Sequence, residues 1–356
     1  MLEESLSFLR TLLTTPSPTG FEMAGQRVWR DYVAQFADTV ESDAYGNVYA
    51  TLHADSETTV MLTGHADEIG FMVNYITDEG FIYYKPIGGV DPSMVRGRRV
   101  IIHNERGSVR GVTAAPPIHL QDRDNEPKPP KHHENFIDIG VTSREAAEEL
   151  VQIGDAITYV DDFEILREDV AIARAMDNRV GTFAAAEALR RCAENRHRLQ
   201  TTVVAVSTVM EEVGGHGAAM ATYRLSPTVA VVMDVTHATD WPTLSKERHG
   251  GIKMGKGPVL AHGAGVHPVV RRRLEKVARE NAIPIQFQAA PNYTSTDLDA
   301  VFLSRAGVPT ALISLPNRYM HTTVEMIRLG DLELVAKLMG EFALSVTDGE
   351  RFRVEI

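Results

Sequence analysis

The segment TTVVAVSTVMEEVGG (residues 201–215) is a run of mostly small and β-branched residues that ends in two glutamates and two glycines. A short apolar run with such boundaries is typical of a buried strand. The same character predicts strands over residues 59–63, 202–209, 228–233 and 310–315. Helical patterns lie at about 3–13, 21–36, 179–194, 268–281 and 331–346. Strands that alternate with helices predict an α/β fold, here three layers around a largely parallel mixed sheet. Asp331, directly after a glycine, is the predicted N-cap of the last helix.

Residues 68–165 have a different pattern, with many glycines and little helix before about residue 143. Short segments that alternate apolar and polar residues lie at 70–75, 81–86, 99–103 and 109–113. They predict a small, mainly antiparallel β-domain, inserted into an α/β domain that consists of residues 1–67 and 166–356. Within the insert, residues 121–136 are polar and proline-rich, which predicts a surface loop with solvated His132 and His133.

The bulk composition restricts the class of protein. The chain has 356 residues, 44% of them hydrophobic, and a formal net charge of -12. This acidic balance argues against nucleic-acid or anionic-membrane binding, because phosphate binding depends on clustered Lys and Arg. The N-terminus lacks the pattern of a signal peptide and no long apolar run is present, so we expect a cytoplasmic protein. The single cysteine, Cys192, excludes an intramolecular disulfide and a thiolate metal cluster.

Polar residues that could bind a metal ion occur where the predicted strands end. The segments are TTVMLTGHADEIG (58–70), TTVVAVSTVMEEVGG (201–215), TVAVVMDVT (228–236) and TALISLPNRYMH (310–321). Their candidate residues are His65 and Asp67, Glu211 and Glu212, Asp234, and His321. Ligands of open α/β sheets bind outside the carboxyl ends of the strands, so these residues could converge on one crevice. Asp177, in ARAMDNRVG (173–181), stands before a helix and could enter the same crevice.

Each candidate alone has an ordinary explanation. Polar residues often follow strands, Asp177 could be a helix N-cap, and a lone His65 or His321 is usually a loop histidine. Together, two histidines and three carboxylates form a nitrogen-and-oxygen ligand set that suits Zn, Co or Mn. The combination therefore favours a metal site.

The spacing within two pairs of residues suggests different roles. In an extended segment His65 and Asp67 share one side, so the Asp67 carboxylate could orient the imidazole of a metal-bound His65. Adjacent Glu211 and Glu212 point in opposite directions if extended. One could bind a metal while the other acts as general base toward a water between two ions. Hydrolysis is the predicted chemistry.

Five motifs in the chain resemble, in their order, those of metallopeptidase family 42, the TET-type and glutamyl-aminopeptidase-like enzymes. They are GHADEIGFMV (64–73), MDNRVG (176–181), MEEVGGHGA (210–218), VMDVTHATD (232–240) and LPNRYMHT (315–322). The resemblance extends from PSPTGFE (16–22) to the final helix. It implies an aminopeptidase that removes N-terminal residues from short peptides with two divalent ions per subunit.

The resemblance also implies a role for each matching residue. Asp177 would bridge the two ions, Glu211 would be the catalytic base, and Asp67 would orient the first histidine. The other ligands would be His65 with Asp234 at one ion, and Glu212 with His321 at the second. The peptide between Asp177 and Asn178 is expected to be cis.

Assembly and pocket residues are also compared with the family. The inserted domain would join two chains into a dimer, and dimers of the family commonly form tetrahedral dodecamers. Many relatives carry Gly-Gly-Thr-Asp-Ala where this chain has TSTDLDAV (294–301), in which Asp297 matches the aspartate best. His216 could line the pocket or be a turn residue ahead of a helix. Arg318 and Tyr319 could contact substrate or be structural.

Two other kinds of function fit the same residues. The metal pair could serve another amide bond, as in a deacylase or a carboxypeptidase-like enzyme. The chain could also be a non-catalytic scaffold on a hydrolase fold. Because every expected ligand and base position is filled, the aminopeptidase is the leading hypothesis.

Overall fold

The computed structural model describes residues 1–120, 129–160 and 162–356. In these residues the strands are β1 (Thr39–Ser42), β2 (Val48–Leu52), β3 (Thr59–His65), β4 (Gly70–Ile76), β5 (Ile82–Ile87), β6 (Arg99–Asn104), β7 (Gly107–Thr113), β8 (Ile137–Asp138), β9 (Ala156–Tyr159), β10 (Glu164–Arg167), β11 (Val170–Ala173), β12 (Thr202–Thr208), β13 (Val229–His237), β14 (Val259–Gly263), β15 (Gln286–Ala290), β16 (Thr310–Asn317) and β17 (Glu325–Arg328). The α-helices are α1 (Glu3–Thr14), α2 (Met23–Val33), α3 (Arg144–Glu148), α4 (Met176–Glu194), α5 (His216–Leu225), α6 (Lys246–His249), α7 (Pro268–Glu280), α8 (Leu298–Val301) and α9 (Leu329–Ser345).

The main sheet has eight strands in the order β1-β2-β12-β3-β13-β16-β14-β15. Its four central strands, from β12 to β16, run parallel to one another. The pairs β1–β2, β2–β12 and β14–β16 are antiparallel. Strand β3 is buried from residue 60 to residue 65, as expected for a parallel strand that is covered on both faces. This burial explains the continuous apolar runs in the sequence.

Helices cover both faces of the main sheet. A Cβ atom on Gly64 in β3 would lie 2.4 Å from the carbonyl carbon of Gly181 in α4, so this helix packs directly on the strand. Met61 lies three residues earlier, and its sulfur is 3.9 Å from the Oγ1 of Thr222 in α5. Side chains three residues apart in a strand point to opposite faces. The sheet is therefore the middle of three layers, with α4 on one side and α5 on the other.

Between β3 and β10 the chain forms a second β-structure. Six strands close into a barrel in the order β4-β5-β8-β7-β6-β9, and all of their pairings are antiparallel. A hydrophobic cluster that includes Phe71, Val100 and Ile157 fills it and is separate from the main core. The barrel begins five residues after His65, at the carboxyl end of β3. It therefore stands beside the end of the main sheet where the candidate ligands lie.

The predicted α/β fold, with its mixed sheet and a β-rich insert, is confirmed. The exact limits of the insert stay a prediction. The predicted N-cap of the last helix is wrong, because β17 leads directly into α9, which begins at Leu329. Asp331 lies within the first turn, and its carboxylate accepts hydrogen bonds from the backbone N–H groups of Gly255 and Gly257. Sequence periodicity missed several strands at or next to the edges of the main sheet, among them β1, β14 and β15.

The predicted surface loop lies partly outside the described residues, at positions 121–128. Residues 132–134 form a short 3-10 helix. His133 is exposed, as predicted, whereas His132 is half-buried with its Nε2 3.1 Å from the carbonyl oxygen of Val90. Across residues 1–120, 129–160 and 162–356, no helix is both long and apolar enough to cross a membrane.

Candidate metal centre

The parallel strands bring two of the predicted ligands, His65 and Asp234, to one end of the sheet. Thr208 in β12 pairs with His65 in β3. Val232 in β13 pairs with Thr63, so Asp234, two residues later, lies level with His65. The predicted convergence at the carboxyl ends of the strands is therefore observed for β3, β12 and β13.

Asp177 reaches this end of the sheet from the start of α4. The peptide bond between Asp177 and Asn178 is cis, and the backbone at both residues is not helical. The side-chain amide of Asn178 donates a hydrogen bond to the carbonyl oxygen of Met233, at 2.8 Å. Because Met233 precedes Asp234, this bond ties the start of α4 to β13. The residue at the N-cap position of α4 is Ala175, and the carboxylate oxygens of Asp177 face His65 and His321.

His65 is buried with both ring nitrogens next to oxygen atoms. Its Nδ1 lies 3.2 Å from the backbone carbonyl oxygen of Asp67 and 3.3 Å from that residue's carboxylate. Its Nε2 lies 3.2 Å from an oxygen of Asp177, 3.6 Å from Glu211 and 4.0 Å from Asp234. Both atoms near Nδ1 are hydrogen-bond acceptors, so the Nδ1–H group can donate to them while Nε2 points at the carboxylates.

His321 has the same arrangement on the other side of Asp177. Its Nδ1 lies 2.8 Å from the carbonyl oxygen of Gly89, in the loop that follows β5. Its Nε2 lies 3.3 Å from the second oxygen of Asp177 and 3.4 Å from Glu212. The two oxygens of the Asp177 carboxylate thus face two different histidines. Gly89 belongs to the β-rich insert, so the insert contributes directly to the site.

The loop that carries Glu211 and Glu212 is held by buried acceptors. The backbone N–H groups of Glu211 and Glu212 donate to the two carboxylate oxygens of Asp67, at 3.0 and 3.1 Å. The N–H of Met210, which has a positive φ of 57°, donates to Glu22 at 3.2 Å. The two adjacent glutamates reach different histidines, as their predicted opposite directions require. Asp67 therefore contacts both His65 and the loop that carries the proposed base.

Burial and like charges shape the electrostatics of this cluster. Burial raises the pKa of Glu211 to about 8, and Asp297 and Glu212 add to the shift while His65 opposes it. Burial and the charge of Asp177 also hold the pKa of Asp234 well above its ordinary value. The buried carboxylates thus repel one another, which makes the cluster strongly attractive to cations.

The same carboxylates raise the pKa values of the two histidines. Burial by itself lowers the pKa of His65, but the carboxylates of Glu211 and Asp177 hold it well above the ordinary range. Burial also lowers the pKa of His321, and Asp177 and Glu212 outweigh it and raise the value to about 11. Burial opposes the ionisation of Asp177 as well, yet the two histidines keep its pKa far below its usual value.

The donor atoms fit divalent ions. Ligand atoms within 4.8 Å of one another form two groups, His65–Asp177–Glu212 and His65–Glu211–Asp234. Nitrogen and carboxylate oxygen donors of this kind suit Zn, Co or Mn. Metal-bound histidines commonly donate their other ring N–H to a carboxylate or carbonyl oxygen, which both histidines do here. The structure thus brings together all five residues predicted as ligands, and Glu211 lies among them.

The structure defines the surroundings of three residues whose roles the sequence left open. Asp297 is buried and accepts a 2.6 Å hydrogen bond from the hydroxyl of Thr208. His216 begins α5 with an exposed side chain, which agrees with a turn residue ahead of a helix. Arg318 forms an ion pair with Asp240 at 2.8 Å, and its contact with substrate stays a prediction.

Gly89 and Glu325 both contact His321 but were not among the predicted site residues. Gly89 lies in a different part of the fold, and no local pattern links it to the site. Glu325, at the start of β17, follows His321 by only four residues, but a single glutamate gives no signal on its own.

The comparisons with known proteins agree with this fold. The family model described as M42 glutamyl aminopeptidase matches residues 46–338. The chain is 33% identical to a lysyl aminopeptidase of Pyrococcus furiosus over 335 residues, which is 93% of this chain and 94% of that protein. Its structure is similar to that of a TET aminopeptidase from the marine sediment archaeon Thaumarchaeota archaeon SCGC AB-539-E09, with a TM-score of 0.92, 32% identity and 97% coverage of each chain.

A third similar structure is the TET1 peptidase of Pyrococcus horikoshii, which can assemble into a tetrahedron or a large octahedral shell. It matches with a TM-score of 0.85 and 29% identity over 96% of this chain and 100% of that one. Fold and relatives together define a hydrolase of peptide bonds with a three-layer α/β architecture. The chain belongs to the M42 glutamyl aminopeptidase family.

Proposed function

We propose that this enzyme is an aminopeptidase that removes N-terminal residues from short peptides with two divalent metal ions, Zn or Co or alternatively Mn. Asp177 would be shared between the ions. His65 and Asp234 would complete one set of ligands, and Glu212 and His321 the other. This division rests on the family resemblance and is supported by the two oxygens of Asp177, which face different histidines.

One observation carries the proposal. Both histidines have Nδ1 next to a fixed acceptor and Nε2 directed at buried carboxylates. Two histidines that only stabilised the core would not both need to direct Nε2 at the carboxylate of Asp177. Metal binding accounts for both the orientation of the rings and the burial of several like charges.

The chemistry of such a centre follows from general principles. Divalent ions held here would polarise the scissile carbonyl group and make a water molecule more acidic. Glu211 would accept a proton from the attacking water, whose oxygen forms the new bond to the carbonyl carbon. Glu211 would then give that proton to the amine nitrogen as the C–N bond breaks. Asp67 would orient His65 and hold the backbone of Glu211.

The replacement Glu211→Gln tests the mechanism. It removes the proton acceptor but keeps the shape of the side chain, so bound metal should stay at wild-type stoichiometry while turnover of aminoacyl anilides falls by at least about 100-fold. The exposed residue Glu57 provides a matched control, and Glu57→Gln should retain full turnover. Full activity of Glu211→Gln would refute Glu211 as the base.

The substrate panel separates the aminopeptidase from its alternatives. Anilides with a free α-amine should be cleaved, and N-acylated ones should not. Preferential cleavage of the acylated compounds would favour a deacylase, and cleavage at the carboxyl end of a peptide would favour a carboxypeptidase-like enzyme. Fewer than two ions per chain after reconstitution, with no cleavage of any peptide, would favour a non-catalytic scaffold. Running the panel with Zn, Co and Mn in turn also tests the metal.

We further propose that the inserted β-domain, residues 68–165, joins chains into dimers that assemble into a tetrahedral dodecamer. The tetrahedron formed by the Pyrococcus horikoshii relative supports this, as do the exposed apolar side chains of Val112 and Ile153 on the insert. Light scattering of the full chain should give a multiple of the dimer mass, and Ile153→Asp should reduce it. A monomeric wild-type chain would contradict the proposal. The cytoplasmic location stays a prediction, which cell fractionation can test.

A further inference from the structure

We propose that Glu325 is a positioning residue that fixes His321 relative to Asp177 and thereby sets the affinity of the metal ion that His321 helps to hold. This inference rests on the proposed metal centre. Glu325 lies outside the set of ligands and outside the proton transfer assigned to Glu211. Its side chain is buried, with 2% of the residue exposed.

Glu325 connects two site residues that are far apart in the sequence. One of its carboxylate oxygens accepts the backbone N–H of Asp177 at 2.8 Å, and the other accepts the backbone N–H of His321 at 2.7 Å. The side chains of these two residues meet in turn, with Nε2 of His321 3.3 Å from Asp177. The three residues therefore form a closed ring of contacts.

The pairing of β17 with β11 fixes the position of Glu325. Glu325 is the first residue of β17 and pairs with Ala173, the last residue of β11. The chain continues from Ala173 into the loop that leads to Asp177 and α4. The side-chain amide of Asn317 lies 3.5 Å from the same oxygen that binds the N–H of Asp177. A residue at this position can hold both the entry to α4 and the loop after β16.

The loop that presents His321 needs such support. Tyr319 and His321 have positive φ values of 63° and 62°, a backbone conformation that residues other than glycine rarely adopt. The N–H of His321 is directed at Glu325, and this bond holds the backbone in the left-handed conformation. Asp177 has a further anchor, because the next residue, Asn178, is bonded to the carbonyl oxygen of Met233. Loss of Glu325 should therefore disturb His321 more than Asp177.

This difference predicts a selective effect on metal binding. The ion that depends on His321 should be bound more weakly when Glu325 is replaced. The other ion, which depends on His65 and Asp234, should be bound almost normally. A purely structural carboxylate would lower the stability of the fold without separating the two ions.

The test is a titration of the full, metal-depleted chain with Co²⁺, followed by calorimetry and by visible absorption. The wild type should show two binding steps. Glu325→Gln keeps the shape but presents an amide N–H₂ to one of the two backbone N–H groups. It should weaken one step by about 10- to 100-fold, the usual effect of losing a residue that orients a metal ligand, and leave the other within about twofold.

Asp331 provides a matched control. It is also a buried carboxylate that accepts two backbone N–H groups, from Gly255 at 2.6 Å and Gly257 at 2.9 Å. These partners contribute no residue to the metal centre. Asp331→Asn should lower the melting temperature and leave both Co²⁺ steps unchanged.

The outcomes distinguish this inference from the proposed function. Two wild-type steps in Glu325→Gln would overturn the inference alone, as would equal weakening of both steps or a similar selective loss in Asp331→Asn. Fewer than two steps in the wild type would overturn the proposed function. If Glu325→Gln does not fold, Glu325→Asp serves instead, because it keeps both acceptor oxygens and withdraws them by one methylene. It should weaken the same step, and an unchanged titration would overturn the inference.

Discussion

Replacement of Asp67 by asparagine should weaken both metal binding and folding, because one buried carboxylate serves two parts of the site. One oxygen contacts Nδ1 of His65 at 3.3 Å and accepts the N–H of Glu211 at 3.0 Å. The other accepts the N–H of Glu212 at 3.1 Å and the hydroxyl of Thr19 at 2.9 Å. In Asp67→Asn, either orientation of the amide turns its N–H₂ toward a backbone N–H that cannot accept a hydrogen bond.

The magnitude follows from these contacts. A hydrogen bond to a charged group contributes about 1.5 to 3 kcal/mol, and a buried donor left without a partner costs about 1 to 3 kcal/mol. Asp67→Asn should therefore lower the free energy of unfolding by about 3 kcal/mol. Because His65 also loses its orienting carboxylate, affinity for metal should fall by about 10- to 100-fold.

The two effects are measured separately. Urea unfolding in the presence of a chelator gives the change in stability, and Co²⁺ titration of the metal-depleted chain gives the affinity. Thr19→Val is the control, because it removes one hydroxyl donor to Asp67 and should cost about 1 kcal/mol with little change in metal affinity. Wild-type stability and affinity in Asp67→Asn would refute the role assigned to this carboxylate.

The stability difference should also depend on pH. Burial opposes the ionisation of Asp67, but the hydrogen bonds with His65 and with the N–H groups of Glu211 and Glu212 keep its pKa below the ordinary value. An acid whose pKa is lower in the folded state stabilises the fold above its unfolded pKa, about 3.9, and loses that contribution as the pH falls through the folded pKa. The contribution of Asp67 should therefore be constant near neutrality and decline only below about pH 4. A decline that begins near pH 6 would contradict this assignment.

Two further substitutions test other parts of the structure. Glu68 is buried and paired with two buried arginines. Glu68→Gln should destabilise the fold by about 3 to 5 kcal/mol, because it leaves positive charge uncompensated. A loss of stability below about 1 kcal/mol in urea unfolding would contradict this prediction. A Cβ atom on Gly89 would lie 3.0 Å from Nδ1 of His321, so Gly89→Ala should displace the ring and weaken one Co²⁺ step by about tenfold. Gly251→Ala, where a Cβ meets no atom within 4 Å, is the control and should bind Co²⁺ as the wild type does. Wild-type binding by Gly89→Ala would contradict the predicted clash with His321.

Local sequence was sufficient for the central strands. The runs that predicted strands at 59–63 and 202–209 lie within or overlap β3 and β12, because these strands are buried on both faces and their apolar character is continuous. Strand β15 at the sheet edge and its neighbour β14 have mixed exposure, and their patterns were too weak to predict strands. The predicted ends of these two strands were also close to the observed ones, which is why His65 and Glu211 could be named before the fold was known.

The sequence by itself determined the candidate ligands and the candidate base, since a histidine or carboxylate stood near the end of each predicted central strand and the order of the motifs indicated the family. Only the tertiary structure decided how these side chains meet. Strand register sets Asp234 level with His65, and Asn178 turns Asp177 toward both histidines through a bond to β13. Gly89 from the barrel and Glu325 from β17 reach His321 across the fold. Such contacts depend on backbone atoms of distant segments, and a hydrogen bond to a backbone atom leaves no local trace in the identity of the residue that supplies it.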